Sequence, residues 1–171
     1  MSSREISFRL ALVEALHLSD LVDQLTSAIA AADETPDPAI ARLTPAPYPD
    51  DVEATRQFAA ATRDDLLDRR TADAAVVHRA LAPFADAFAA MSDGAADAPD
   101  HVDVLIRHGD IDSWLRTLTA LRLVIATRLR VTDNDEHDEE DPRFGVYDWL
   151  AYRLDGLVAI ADALDEPLDE R

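Results

Sequence analysis

No cysteine occurs anywhere in the 171 residues. That absence excludes disulfides, thiolate nucleophiles, thiol redox sensing and cysteine-ligated metals. Lysine is missing too, so all 16 basic residues are arginines, set against 35 acids. Arginine-only usage fits the codon bias of a GC-rich genome and carries no mechanism by itself. The formal net charge of −19 does carry one. A nucleic-acid duplex is a dense line of negative charge and repels a chain this acidic unless its cations are concentrated in one patch. Direct nucleic-acid binding is therefore not expected.

No apolar run approaches the length of a membrane span and no signal-peptide core opens the chain, so the expected location is cytoplasmic, with no membrane partner. P-loop, GxGxxG and HExxH patterns are absent. The histidines, His17, His78, His101, His108 and His137, have no metal-ligand spacing and enter no recognisable Ser-His-Asp arrangement. Neither enzymatic activity nor a cofactor is expected.

What is present suits one domain of ordinary size, with 48% hydrophobic residues to form a core. The periodicity predicts a mainly α fold: a single-domain bundle of five or six helices, with a small two-stranded ribbon. Ile6, Phe8, Leu10 and Leu12 alternate with Ser7, Arg9 and Ala11, which predicts a half-buried strand over about Glu5–Leu12. Ser19 reads as the N-cap of a first helix carrying Leu21, Val22, Leu25, Ala28, Ile29 and Ala32.

Residues 36–49 hold several prolines and read as a loop or wrapped arm, with a short helical turn at Ala39–Leu43. Asp50 or Asp51 caps a helix to about Arg69, with Val52, Phe58, Ala59 and Leu66 facing inward. Another helix opens near Thr71, and Pro83 predicts a kink or a break in it after Leu81. After a linker at 93–100, Val102, Val104 and Ile106 predict a second strand over 102–107 that pairs with the first. His108-Gly109-Asp110 then supplies a turn and a cap.

Asp110–Val131 is apolar on nearly every side and reads as a buried helix, although it carries Arg116, Arg122, Arg128 and Arg130. Six residues place Arg122 and Arg128 about 120° apart, so they form no common anion site. They read as structural ion pairs with partners such as Asp148, Asp155 or the acids Asp50 and Asp51. Trp114, Tyr147 and Trp149 could stack a ligand, but aromatics at helical spacing read as core. The acidic stretch at 133–142 offers the oxygen ligands of a divalent-cation loop. It lacks the turn glycine, having Asp138 in its place, and reads as a solvated loop. A last helix is expected over about Phe144–Leu164.

Several ordered blocks carry a resemblance. In the first half these are Asp37-Pro38-Ala39-Ile40-Ala41-Arg42-Leu43-Thr44-Pro45, then Tyr48, Asp50 and Asp51, then Phe58 and Thr62-Arg63-Asp64-Asp65-Leu66. In the second they are Trp114, Leu118, Leu121-Arg122-Leu123, Thr127-Arg128-Leu129, Val131-Thr132-Asp133 and Val146-Tyr147-Asp148-Trp149-Leu150. Together they resemble an actinomycete oxidative-stress transcriptional regulator family (AosR-like), formerly catalogued as a domain of unknown function.

The sequence departs from the family pattern at Thr119-Ala120, Ala59 and Arg153-Leu154. The resemblance implies a cytoplasmic regulator acting through protein contacts with a sigma factor or the polymerase machinery. The family's thiol-based sensing cannot operate without cysteine. An adaptor of Clp proteolysis or of cysteine and sulfur metabolism remains a second reading, after the gene neighbourhood usual for such proteins. A small-ligand or metal-binding domain is a third, and homo-oligomerisation stays open.

Overall fold

Alternation of apolar and polar residues builds the first element, β1 (Glu5–Ala11), whose Phe8 and Leu10 are buried while Glu5, Ser7 and Arg9 face water. Its partner β2 (His101–Arg107) buries Val102, Val104 and Ile106 on the same side. The strands pair antiparallel from Glu5 opposite Arg107 to Ala11 opposite His101, giving the expected two-stranded sheet. The computed structural model describes residues 5–44, 51–91, 99–131 and 140–165. Tyr48, Asp50, the end of the proline-rich arm and most of the acidic stretch, 132–139, lie outside the described residues.

Five α-helices complete the described fold: α1 (Leu12–Ala30), α2 (Pro38–Ala41), α3 (Val52–Met91), α4 (Ile111–Leu129) and α5 (Gly145–Asp165). The protein is thus mainly α with a small ribbon. α1 does not wait for Ser19. It starts at Leu12, directly off β1, because the Glu14 carboxylate accepts the Ala11 N–H at 2.8 Å and satisfies an orphan donor of the first turn. Ser19 is buried inside the helix.

α2 is the anticipated short turn, capped by Asp37, whose side chain accepts the Ala39 N–H at 2.8 Å. Of the two proposed caps for α3, Asp51 acts, accepting the Ala54 N–H at 2.9 Å. The expected break near Thr71 does not occur, and α3 runs unbroken for 40 residues. No breaker stands between Arg69 and Thr71. Pro83 sits on the exposed side of α3, where water can satisfy the carbonyl that its missing N–H leaves unpaired. Phe58 is 39% exposed, contrary to expectation, and Leu67 rather than Leu66 enters the core.

The packing follows a consistent order: α3 lies between α1 and α4, α4 lies between α3 and α5, and α2 closes over α4. Leu67, Ala74, Val77 and Leu81 of α3 meet Leu18, Val22 and Leu25 of α1 in one core. Trp114, fully buried, receives the Phe8 ring edge-on at 5.7 Å and so joins the ribbon to α4.

α4 is not buried all round. Ile111, Trp114, Thr117, Leu118, Ala120, Leu121 and Val124 face inward, while Asp112, Arg116, Thr119 and Arg128 face water. The turn before α4 is a 3-10 turn (His108–Asp110) in which the Asp110 side chain makes no cap hydrogen bond. Asp110 is already in a right-handed helical conformation there, where its carboxylate cannot fold back as an N-cap's does.

Candidate functional site

A polar junction linking three elements lies where β1 passes into α1. Glu14, already holding the Ala11 N–H, accepts the Trp149 indole N–H at 2.7 Å and a hydrogen bond from the Arg153 guanidinium. Arg153 also reaches the Arg9 carbonyl of β1 at 3.5 Å. One carboxylate therefore joins the strand end, the helix start and α5. Burial acts to raise the Glu14 carboxyl. The hydrogen bonds from Arg153, Ala11 and Trp149, with the Arg153 charge, outweigh it and hold the group below its ordinary range.

Beside this junction is an open recess of about 220 Å³ lined by Val13, Glu14, His17, Gly145, Val146 and Trp149. Val13 at its lip is 71% exposed. The His17 and Trp149 rings lie 6.4 Å apart in a tilted arrangement. Two adjacent helices thus present a valine and an indole to solvent, and Glu14 fixes the indole from behind.

A second recess, of about 430 Å³, lies between the α1–α2 connection and α3 and includes Asp33, Asp37 and Arg63. Its cation is already engaged: Arg63 pairs with Asp33 at 2.5 Å and donates to the Ala32 carbonyl at 3.2 Å. Among the described residues, no three His, Asp or Glu side chains are grouped to hold a metal ion. No described helix is long and apolar enough to cross a membrane.

Among the described residues, those singled out in the sequence do not converge on one site. Trp114 is core, and Tyr147 is buried beneath Arg122, whose guanidinium lies 4.3 Å from the ring centroid. Arg128 turns to a different neighbour, Asp37, at 3.4 Å. The 120° divergence of the two arginines is thus realised. Asp37 is not among the acids named from the sequence, and the pair is not internal, since Arg128 keeps 55% of its side-chain surface. The closure of α2 over α4 brings Asp37 within its reach.

Arg42 is exposed at the end of α2. Asp51 caps α3, and Asp148 is half-buried in the first turn of α5. Of the predicted site residues that are described, only Trp149 lines the recess. Sequence reasoning passed over Glu14 and Val13. An acid three positions past the strand end was the signal available for Glu14. Arg153, a departure from the family pattern, is the cation that Glu14 holds.

No curated protein and no solved structure gives a significant match to the chain. A family model does match, over residues 1–161, and its description is Domain of unknown function (DUF2017). Matched over nearly its whole length, the chain belongs to the DUF2017 family.

Proposed function

We propose that this protein is a regulator linked to transcription and oxidative stress that works through protein contacts. The recess between α1 and α5 is the contact site for a sigma factor or another basic surface of the polymerase machinery. The direction of regulation comes from the resemblance to the actinomycete regulators. The observation that supports a protein contact is the pairing of exposed Val13 with the half-buried Trp149, fixed from behind by Glu14, on a chain of net charge −19.

Apolar and aromatic anchors within a charged surround are the usual centre of a protein interface, and complementary charge speeds the approach of a basic partner. At about 220 Å³ the recess falls below the roughly 300–1,000 Å³ of ordinary small-molecule sites. It suits one inserted side chain.

The test is deletion of the gene, complemented with wild type or with Val13→Glu. Val13 is too exposed for that change to disturb the core. The stress-response transcript profile should change on deletion, return with wild type and fail to return with Val13→Glu. An unchanged profile on deletion overturns the reading.

A further inference from the structure

The ribbon has two strands and therefore two outer edges, which differ. The Leu12 N–H donates to the Asp100 carbonyl at 3.0 Å, one step beyond the Ala11–His101 pair. Antiparallel ladders alternate hydrogen-bonded and non-hydrogen-bonded pairs. The bonded pairs are therefore Leu10 with Val102, Phe8 with Val104 and Ile6 with Ile106. It follows that the backbone N–H and C=O groups of Asp103, Leu105 and Arg107 point away from β1. On the β1 side the same alternation turns the Arg9 carbonyl outward, and Arg153 of α5 meets it. Among the described residues no backbone group pairs with the β2 edge.

The side chains at that edge are also distinctive. Leu105 is 59% exposed, between the exposed Asp103 and Arg107. Across the outer face of the ribbon, Glu5 and Asp103 offset Arg9 and Arg107. The ribbon is locally neutral on a chain of net charge −19, so a second copy can approach it without the repulsion met elsewhere.

We infer that β2 is a homodimerisation strand: two copies pair antiparallel about a two-fold axis through Leu105, giving a continuous four-stranded sheet. In this register the outward backbone groups of Asp103, Leu105 and Arg107 all find partners. Leu105 faces its counterpart, and each Asp103 stands opposite Arg107 of the second copy. Beneath them, Val104 stands opposite Ile106. Centring the axis on Asp103 or on Arg107 instead sets like charges against each other. Among the registers centred on an outward residue of this charged stretch, Leu105 is thus the one that sets opposite charges together.

Sedimentation velocity on the full chain tests this. The wild type should sediment at twice the chain mass at high micromolar concentration. Asp103→Arg sets arginine against arginine and Arg107→Asp sets aspartate against aspartate, so each variant alone should be monomeric. An equimolar mixture of the two should recover the dimer, because every cation then faces an acid. Leu105→Lys, an exposed position, should also be monomeric with unchanged circular dichroism. A monomeric wild type, single variants that remain dimeric, or folded single variants whose mixture stays monomeric would each overturn the inference.

Discussion

Glu14 at the head of α1 accepts the Trp149 indole N–H of α5 at 2.7 Å, across 135 positions of sequence. Because the same carboxylate also holds Ala11 and Arg153, removing it leaves a helix start, an indole and a guanidinium without their acceptor. Glu14→Ala should lower unfolding free energy by about 2–3 kcal/mol. Chemical denaturation reads this directly, and an unchanged midpoint would count against the junction.

The depressed Glu14 carboxyl fixes a pH dependence. Its folded value lies below the unfolded value of about 4.3, so the stabilisation is complete above that pH and is lost as pH falls through the folded value. The gap in thermal midpoint between wild type and Glu14→Gln should be widest near neutrality and should shrink in acid below about pH 4. A gap that widens with acid contradicts the assignment.

Trp114 and Arg128 lie on one helix and should respond very differently. Trp114 is fully buried, so Trp114→Ala should cost about 3–5 kcal/mol. The Arg128–Asp37 pair is largely solvated, and Arg128→Ala should cost less than about 1 kcal/mol. Equal losses on denaturation would reverse this view of α4.

Arg130 ends α4 in the left-handed region, at φ 59°, where its N–H closes the last turn on Ala126 and Thr127. Glycine adopts that conformation without the Cβ conflict. Arg130→Gly should therefore raise stability by about 0.5–1 kcal/mol, after allowance for the freer unfolded chain. A lower thermal midpoint would contradict this.

Where burial is periodic and local, the fold was legible in the sequence. Alternation at Ile6–Leu10 and Val102–Ile106 located both strands, and Asp51 was a readable cap because its carboxylate reaches an N–H group only three residues away. Boundaries failed where a local cue competed with packing. Ser19 resembles a cap but lies buried in α1, and Thr71 resembles a start but lies within α3. The site was harder to read, because Glu14 acquires its meaning only from Trp149 and Arg153, brought beside it by the tertiary fold. The partner of Arg128 was hidden for a related reason, since Asp37 comes 91 positions earlier in the chain.

The most direct test of the central claim is a binding titration of the purified chain against purified sigma factors, core polymerase and promoter duplex. Fluorescence of Trp149 in the recess can serve as the signal. The account predicts saturable binding to a sigma factor or polymerase subunit, weakened at least tenfold by Val13→Glu and weakened by added salt, with no tight promoter binding at physiological salt. Tight, sequence-specific binding to promoter DNA by the chain alone, or no binding to any part of the polymerase machinery, would contradict it.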